Sequence, residues 1–311
     1  MPIDILQLCP LMPSLEAELA SRYTVHRWFE ADDQPAFLKE NAANIRGAVT
    51  GGHVGIANAL ADVLPNLEIV AINGVGFDKV DLERARKHGI RVSNTPDVLT
   101  ADVADLAIGL IIAQARQMAL ADAHVRTGDW PKAELGLGTR VSGRRTGIFG
   151  LGRIGKAIAR RLEGFDAEIA YCGRVRQDVP YGYCATLEEL ARNCDVLIIA
   201  AAASAKTYHA VNAGVIDALG PKGVLVNVAR GSLVDEKALV TALREGRLGG
   251  AALDVFENEP HAPEELFAMK NVVFAPHIGS ATHETRKAMA DLVLANLAAH
   301  FEGETLPTPV V

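Results

Sequence analysis

A glycine motif in the middle of the chain limits the possible folds most strongly. The segment GIFGLGRIG places Gly150, Gly152 and Gly155 in the spacing G-x-G-x-x-G. The apolar run Thr146–Phe149 precedes these glycines and the helix-like run Ile154–Leu162 follows them. In this strand–turn–helix context the glycines allow a tight turn, close approach of the backbone to a pyrophosphate, and close helix–strand packing. The free N–H groups of the helix N-terminus also favour phosphate. The motif therefore predicts a dinucleotide site rather than a plain βα turn.

The size and charge of the chain exclude several classes of protein. With 311 residues it is long enough for two domains, each with its own core. Hydrophobic residues make up 49% of the chain and charged residues 22%, which is typical of globular rather than disordered proteins. The net charge of −7 and the lack of a long basic run argue against nucleic acid or an anionic membrane as the main partner.

Targeting and cysteine patterns favour a cytoplasmic location. The N-terminal segment MPIDILQLCP has no basic region before its apolar residues, unlike a secretory signal. The longest purely apolar run, Val196–Ala203, is too short to cross a bilayer. Because the cysteines (Cys9, Cys172, Cys184 and Cys194) show no C-x-x-C spacing, we expect reduced thiols, with neither a disulfide nor a metal site.

Strand-like and helix-like runs alternate along most of the chain, which predicts parallel sheets covered by helices on both faces. In the first third the candidate strands are Ile3–Leu8, Val25–Trp28, Ala48–Thr50, Leu67–Ile72 and Ile90–Ser93. The candidate helices between them lie near Ser14–Arg22, Gln34–Glu40, Ile56–Val63 and Val80–His88. The pattern restarts with candidate strands Thr146–Phe149, Glu168–Tyr171, Val196–Ile199, Val224–Val228, Ala251–Val255 and Val272–Ala275. These six strands are the number in a full dinucleotide-binding sheet, so the predicted fold class is α/β with two doubly wound domains.

Three segments determine the expected domain boundaries. After Pro96, the segment Asp97–Gln117 predicts one long apolar helix that starts near Thr100 or Asp102. The polar, glycine-rich segment Arg126–Arg145 is long for a connection, which indicates a functional or interface arm. The last predicted helix, His283–Phe301, has one face formed by Met289, Leu292, Val293, Asn296 and Leu297. We expect this helix to return to the first domain, giving a substrate-binding domain of residues 1–97 and 284–311 and a dinucleotide-binding domain of residues 98–283.

Polar clusters follow three strands of the second half, where open α/β sheets bind their ligands. In NVARG, Arg230 suits bidentate capture of a carboxylate, although a surface arginine fits the pattern equally well. In DVFENEP, three acids follow a strand, and Glu257 is expected to belong to a solvated loop. In PHIGS, His277 is a candidate general acid or base because histidine titrates near neutral pH, although a lone histidine after a strand is more often structural.

The motifs GLGRIG, NVARG, DVFENEP and PHIGS occur in that order, together with GVGFDKVDL (Gly74–Leu82) and NTPDVLTADVADLAIGL (Asn94–Leu110). With this ordered set the chain resembles the D-isomer-specific 2-hydroxyacid dehydrogenases over nearly its whole length. It is most similar to the glyoxylate/hydroxypyruvate and hydroxyphenylpyruvate reductases of that family. The resemblance implies a flavodoxin-like substrate domain and a Rossmann dinucleotide-binding domain with a cleft between them.

The resemblance also implies roles for individual residues. Arg230 would hold the carboxylate and keto oxygen of the substrate, and His277 would protonate that oxygen. Glu259 would hydrogen-bond His277 and favour its protonated form. In the first domain, the backbone N–H groups of Val75 and Gly76 would receive the substrate carboxylate. Asp254 would face the nicotinamide amide. The residues that would line the cofactor are Thr100, Gly150, Leu151, Gly152, Arg153, Ile154, Gly155, Gly173, Arg174, Arg176, Ala201, Ala202, Val228, Ala229, Arg230, Asp254, His277 and Gly279.

The second strand of the dinucleotide domain indicates which cofactor is used. An NAD site normally has an acid at the end of this strand, which binds the ribose 2′-OH. Here the strand is followed by Gly173-Arg174-Val175-Arg176, which contains two arginines and no acid. Arginines attract a 2′-phosphate, so the sequence favours NADPH, with NADH as a weaker alternative. The alternative is that both arginines point to solvent.

The chain departs from the family in two places. The family often has Pro-Leu-Thr where this chain has Ala202-Ala203-Ser204. Gly173 and Val175 replace hydroxyl residues that are usual in NADPH-linked relatives, so fewer donors would reach the 2′-phosphate.

The predicted function is NADPH-dependent reduction of a small 2-keto acid to the D-2-hydroxy acid by a homodimer built on the cofactor domains. Glyoxylate, hydroxypyruvate and hydroxyphenylpyruvate all remain open as substrates. The alternative is a dinucleotide-sensing binding protein or co-repressor on the same fold, because fold alone does not determine function.

Overall fold

The computed structural model of the chain describes residues 2–311. The chain forms two compact units, the first composed of Met1–Leu99 and Ala281–Val311 and the second of Thr100–Ser280. The structure thus divides the chain at 99/100 and 280/281, whereas the sequence predicts divisions at 97/98 and 283/284.

Each unit is built on one parallel sheet. The strands of the first unit are β1 Asp4–Gln7, β2 Thr24–Arg27, β3 Ile45–Gly51, β4 Ile69–Asn73 and β5 Arg91–Ser93. Their order is β2-β1-β3-β4-β5, the flavodoxin-like arrangement. The strands of the second unit are β6 Arg145–Phe149, β7 Glu168–Cys172, β8 Gly182–Cys184, β9 Val196–Ile199, β10 Val224–Asn227, β11 Gly250–Leu253 and β12 Val272–Phe274. Their order is β12-β11-β10-β9-β6-β7-β8, with every pair parallel.

Helices connect the strands of both sheets. They are α1 Pro13–Arg22, α2 Gln34–Asn41, α3 Asn58–Asp62, α4 Leu82–Lys87, α5 Thr100–Ala115, α6 Met118–Arg126, α7 Arg153–Glu163, α8 Leu187–Arg192, α9 Ala213–Leu219, α10 Glu236–Arg244 and α11 His283–Phe301. Short 3-10 turns occur at Trp28–Glu30, Gly231–Leu233 and Glu264–Leu266. Several helices begin where an N-cap side chain accepts a hydrogen bond from the first turn, namely after Asp33, Asp81, Thr186, Asn212, Asp235 and Thr282.

The sheet of the first unit is buried on both faces, as a parallel sheet requires. Neighbouring residues of β1, Ile5 and Leu6, point to opposite faces and are both fully buried. Ile5 packs in a cluster with Val293 and Leu297 of α11, whereas Leu6 belongs to a separate cluster on the other face. The last helix of the chain is therefore part of the first unit's core.

Two helices differ from the sequence-based expectation. The helix expected over Asp97–Gln117 begins at Thr100 and ends at Ala115, because Gln117 adopts a left-handed conformation with φ of 53°. A second helix, α6, follows it and was not predicted. In α11 the observed bounds equal the predicted ones, but Leu292 is only half-buried while Ala290 and Leu294 are buried. Its buried surface is thus wider than the single predicted face.

The second sheet has seven strands rather than the six predicted. The missed strand, β8, has only three residues and lies at the edge beside β7. Such a short edge strand carries too few residues for its alternation to stand out in the sequence. The other strands lie where they were predicted, with ends that differ by a few residues, as for Ala48–Thr50 within β3.

In residues 2–311, no single helix is long and apolar enough to span a membrane. Helices α5 and α6 together have the required length and composition, but they are bent by 63° at the break between them.

Candidate active site

The carboxyl ends of the strands in the second unit carry the residues that the sequence singled out. Gly150–Gly155 follow β6, Gly173, Arg174 and Arg176 follow β7, Ala201 and Ala202 follow β9, Val228, Ala229 and Arg230 follow β10, Asp254 follows β11, and His277 and Gly279 follow β12. Thr100 is the first residue of α5. The strand order reverses between β9 and β6, and open α/β sheets bind ligands outside such a switch point.

The three motif glycines differ in what a side chain at each position would contact. Gly150 has a φ of +96°, and a Cβ atom there would lie 2.4 Å from the Cα of Ala201. A Cβ atom at Gly155 would lie 2.1 Å from the carbonyl oxygen of Gly150. At Gly152, by contrast, a Cβ atom would meet nothing within 4 Å. Gly150 and Gly155 are therefore needed by the fold itself, whereas Gly152 leaves open space.

This open space lies at the start of α7. Gly152 is the N-cap residue of the helix and provides no side-chain cap for its first turn. Backbone N–H groups at an uncapped helix start, with no side chain in front of them, form a site for an anionic group such as a pyrophosphate. Leu151 is buried, so its backbone rather than its side chain would contribute to this turn, which we call the glycine turn (Gly150–Gly155).

The segment after β7 carries positive charge. Arg174 and Arg176 are both exposed, and no acid stands between Cys172 and Gln177. A Cβ atom at Gly173 would meet only the Cδ2 atom of Tyr171, at 4.0 Å, so this position has room for a side chain. We call residues 173–176 the arginine loop; its charge suits a phosphate ester and its lack of an acid disfavours a free ribose diol.

A histidine–carboxylate pair lies at the end of β12. The Nδ1 atom of His277 is 2.6 Å from the Oε2 atom of Glu259, and both side chains are partly buried. The His277 backbone has a φ of 54°, which is rare for a residue other than glycine and clusters at functional sites. The backbone N–H of His277 donates to the carbonyl oxygen of Asp254, at 2.8 Å.

Asp254 holds the loop that carries His277. Its two carboxylate oxygens accept hydrogen bonds from the backbone N–H groups of Ile278, at 2.7 Å, and Gly279, at 2.9 Å. Burial raises the pKa of Asp254, and these two N–H groups oppose that shift. The structure thus gives Asp254 an anchoring role that the sequence did not indicate, in addition to the predicted contact with nicotinamide.

The surroundings of Glu259 favour its ionised form. Burial acts to raise the pKa of Glu259, but several interactions together outweigh it and lower that pKa. They are the hydrogen bond and charge of His277, a hydrogen bond from the backbone N–H of Phe256, and the positive charge of Arg230. An ionised Glu259 carboxylate can accept a hydrogen bond from the His277 ring.

Arg230 is half-buried rather than a solvated surface arginine. The buried side chain of Asn227 shapes its turn, because its Nδ2 atom donates to the carbonyl oxygen of Arg230, at 2.9 Å, and its Oδ1 atom accepts from Ala229 N. A Cβ atom at Gly231 would lie 1.9 Å from the carbonyl carbon of Phe256. Asn227 and Gly231 thus position Arg230 beside the Glu259 segment, and sequence reasoning assigned neither of them a role.

Glu257 is exposed, as expected for an acidic loop, and its side chain also has hydrogen-bond partners. Its Oε1 atom lies 2.6 Å from the Nε2 atom of His209 and 3.3 Å from the hydroxyl of Tyr208, which donates to it. Its backbone N–H donates to Glu236 of α10, at 2.7 Å. Burial, followed by the charges of Glu257 and Glu259, raises the pKa of Glu236. These contacts hold the acidic segment against α10.

In the first unit, Val75 and Gly76 follow β4 and are half-buried. The Nδ2 atom of the buried Asn94 donates to the carbonyl oxygen of Val75, at 2.8 Å, and the N–H of Thr95 donates to the carbonyl oxygen of Gly74, at 2.9 Å. The carbonyl groups of this turn are thereby held by residues that follow β5. In the sequence, Asn94 stands out only as part of a motif. The structure shows that its side chain holds the carbonyl oxygen of Val75.

Comparison with known proteins places the chain in a family. A family model for the NAD-binding domain of D-isomer-specific 2-hydroxyacid dehydrogenases matches residues 108–279. Glyoxylate/hydroxypyruvate reductase A of Arabidopsis thaliana is 52% identical over 310 residues, which cover 99% of each chain. The chain belongs to the D-isomer-specific 2-hydroxyacid dehydrogenase family.

Two further relatives are similar over nearly the whole chain. Hydroxyphenylpyruvate reductase of Plectranthus scutellarioides is 52% identical over 310 residues, 99% of each chain. The crystal structure of an NADPH-dependent glyoxylate/hydroxypyruvate reductase from Sinorhizobium meliloti, in complex with NADP and malonate, is 45% identical. It superposes with a TM-score of 0.94 and covers 100% of this chain and 97% of its own. The predicted family resemblance and α/β fold class are therefore confirmed.

The structure shows what replaces one family motif. Where relatives of the dehydrogenase family often have Pro-Leu-Thr, the segment from Ala202 to Ser204 is held by Thr207. The Oγ1 atom of Thr207 donates to the carbonyl oxygen of Ala202, at 2.9 Å, and accepts from the N–H of Ser204, at 2.8 Å. This side chain thus gives the segment a defined shape without the proline.

Proposed function

We propose that the protein is an NADPH-dependent reductase that converts a small 2-keto acid to the D-2-hydroxy acid. The observation that carries the proposal is the pairing of His277 with Glu259 at 2.6 Å, in the same unit as Arg230 and the glycine turn. A histidine whose imidazolium is stabilised by a carboxylate can act as a general acid at neutral pH. The names of the relatives from Arabidopsis thaliana and Plectranthus scutellarioides support reduction of 2-keto acids.

The residues present fit NADPH. The open space in front of Gly152 and the uncapped start of α7 suit its pyrophosphate. The arginine loop, which contains Arg174 and Arg176 and no acid, suits the 2′-phosphate that distinguishes NADPH from NADH. The Sinorhizobium meliloti relative was crystallised with NADP, which supports this choice. NADH would bind more weakly. Bound NADPH would supply the hydride that reduces the keto carbon.

The other parts of the reaction belong to the chain's own residues. The planar guanidinium of Arg230 holds the substrate carboxylate and polarises the keto oxygen. Because the Nδ1 atom of His277 is bonded to Glu259, the imidazolium delivers its proton to the keto oxygen from Nε2. Through its contact with Nδ1, Glu259 keeps the His277 ring oriented until the proton is transferred.

The experiment that tests this function uses the purified chain, NADPH and a panel of 2-keto acids. We expect oxidation of NADPH that depends on glyoxylate, hydroxypyruvate or hydroxyphenylpyruvate, and chiral chromatography of the hydroxyphenylpyruvate product should give the D-isomer. The panel also identifies which of these substrates is preferred. Tight NADPH binding without turnover of any 2-keto acid would contradict the proposal and favour a dinucleotide-sensing binding protein.

We also propose that the protein is a homodimer built on its cofactor domain. Supporting this, several apolar side chains from α6 to β6 are exposed in the single chain. Trp130 is 67% exposed and Leu137 is 98% exposed, and Met118 and Val125 of α6 are exposed as well. Aromatic and aliphatic residues in such a segment are typical of interfaces.

We further propose a cytoplasmic location, which is supported by four cysteines that are all free and buried.

A further inference from the structure

The arginine loop is closed at its far end by a buried tyrosine. Tyr171 of β7 is fully buried, and its ring packs against Tyr183 of β8 with ring centroids 5.3 Å apart. Its hydroxyl accepts a hydrogen bond from the backbone N–H of Gln177, at 2.5 Å. The chain therefore leaves β7, passes through residues 173–176, and returns at Gln177 to the strand that it left.

The side chain of Gln177 ties this loop to the glycine turn. Its Nε2 atom donates to the carbonyl oxygen of Leu151, at 2.9 Å. At the near end of the loop, the N–H of Gly150 donates to the carbonyl oxygen of Cys172, at 2.8 Å. The arginine loop is thus attached to the glycine turn at both ends, on either side of Arg174 and Arg176.

This attachment has a consequence for ligand binding. The pyrophosphate and the 2′-phosphate are parts of one molecule, so both can be bound only if their two loops are the right distance apart. Exposed arginine side chains lose rotamer freedom when they bind phosphate, and a fixed backbone limits the further ordering cost. A dinucleotide without the 2′-phosphate needs the glycine turn but makes no charge-assisted contact to the arginine loop.

We propose that Gln177 is a positioning residue for cofactor choice. It holds the arginine loop against the glycine turn and so favours dinucleotides that carry a 2′-phosphate, while it makes no contact with that phosphate itself. This inference rests on the proposed use of NADPH. It differs from the predicted role of the arginines, because Gln177 acts through the geometry of the loop and Arg174 through its charge.

The test measures the dissociation constants of NADP⁺ and NAD⁺ by calorimetry for the wild type and Gln177→Ala. The variant loses the side-chain donor but keeps the backbone N–H that binds Tyr171. Removing one neutral hydrogen bond should weaken NADP⁺ binding by about 2- to 13-fold. NAD⁺ binding should change less than the NADP⁺ value, and kcat at saturating NADPH should stay near the wild-type value. Hydrogen exchange at residues 173–177 should become faster.

Three further variants make the result specific. Tyr171→Phe keeps the ring but removes the hydroxyl that accepts from Gln177, so it should shift the same ratio of dissociation constants. Gln34→Ala, an exposed glutamine at the start of α2, is the control and should change neither constant. In a variant that also carries Arg174→Ala and Arg176→Ala, Gln177→Ala should add little to the loss, because a positioned loop without arginines has no phosphate ligand.

The outcomes separate this inference from the proposed function. Equal weakening of NADP⁺ and NAD⁺ binding would make Gln177 a general part of the dinucleotide site and overturn the inference. Unchanged NADP⁺ binding in Gln177→Ala would also overturn it, while a wild type that prefers NADP⁺ would leave the proposed function standing. A wild type that prefers NAD⁺ would overturn the proposed cofactor and the inference together.

Discussion

Individual side chains in the second unit hold the His277 ring and its loop through specific hydrogen bonds. Glu259 accepts a hydrogen bond from the N–H of Phe256 with one oxygen and contacts His277 with the other. Asp254 uses both of its oxygens on the backbone that follows His277. Loss of any one of these side chains therefore alters the position or the charge of the imidazole.

Replacement of His277 tests the proton donor. His277→Gln removes the imidazole that would donate the proton but leaves the neighbouring backbone in place. We expect kcat to fall by about 10²- to 10⁴-fold, the usual contribution of general acid catalysis. NADP⁺ binding, measured by calorimetry, should stay close to the wild-type value. His88→Ala, at an exposed position in the first unit, is the control. A kcat near wild type in His277→Gln would rule out this histidine as the proton donor.

The lowered pKa of Glu259 predicts a pH dependence. A carboxylate whose pKa is depressed beside a protonated imidazole stabilises that imidazolium, and the interaction is reciprocal. Glu259→Gln removes the negative charge beside the imidazole and keeps the size of the side chain. The alkaline limb of the profile of kcat/KM for keto acid reduction should move to lower pH.

The same shift has a consequence for stability, with a defined sign. A depressed carboxyl pKa stabilises the folded state above the usual value of 4.5, and this contribution is lost as the pH falls through the folded-state value. The difference in Tm between wild type and Glu259→Gln should therefore shrink as the pH falls below 4.5.

The pH profile of kcat/KM gives the contradicting outcome for the role of Glu259 in the reaction. An alkaline limb that does not move in Glu259→Gln would show that Glu259 has a structural role only.

At the scale of secondary-structure elements, the turn from β6 to α7 separates folding from ligand binding. A side chain at Gly155 would collide with the carbonyl oxygen of Gly150, whereas one at Gly152 would project into open space. At the start of α7, which has no side-chain cap, a phosphate of a ligand can approach backbone N–H groups directly.

Alanine substitutions at these two glycines should have different effects. Gly152→Ala should leave Tm nearly unchanged but weaken NADP⁺ binding, because its methyl group would occupy the space in front of α7. Gly155→Ala should lower Tm, because helix and strand would have to move apart. Thermal unfolding and calorimetric titration of both variants give the comparison. A lowered Tm in Gly152→Ala with intact binding would contradict this division of roles.

The arginine loop predicts a cofactor preference that two substitutions should change. A charge-assisted contact to phosphate contributes about 1.5–3 kcal/mol. Arg174→Ala should therefore weaken NADPH binding by about 10- to 150-fold and leave the KM for NADH nearly unchanged. Gly173→Asp should shift the preference further, since the position has room for a side chain and the acid repels the 2′-phosphate.

The measurement for both variants is the ratio of kcat/KM for NADPH to that for NADH. A wild-type ratio below one would mean that the arginines do not bind the 2′-phosphate. A high ratio that survives Arg174→Ala would assign the phosphate to Arg176 instead.

At the scale of the whole molecule, the exposed apolar residues between α5 and β6 predict assembly. Light scattering at micromolar concentration should give the mass of two chains. Leu137→Asp places a charge at a fully exposed apolar position and should weaken the dimer. Val63→Asp, at an exposed apolar position in the first unit, is the control and should leave the mass unchanged. A wild type that scatters as a single chain would contradict the proposed dimer.

Local patterns were enough to predict much of the fold. The glycine motif between an apolar strand and a helix identified the turn after β6, and the bounds of α11, His283–Phe301, agree with the prediction. The alternation of strands and helices gave the α/β class and both parallel sheets. These features are predictable because periodicity, helix caps and glycine spacing depend on residues that are neighbours in the sequence.

Features that depend on contacts between distant residues could not be obtained this way. The pairing of Glu257 with His209, the tie from Gln177 to Leu151 and the contact of Asn94 with Val75 each join different loops. The edge strand β8 forms because β7 offers it a partner, and its own three residues carry no distinctive pattern. The packing of the whole unit determines such contacts. The local sequence around a polar side chain does not show which distant residue will be its partner. The motifs therefore located the candidate site, while the tertiary fold alone determined which side chains hold its loops in place.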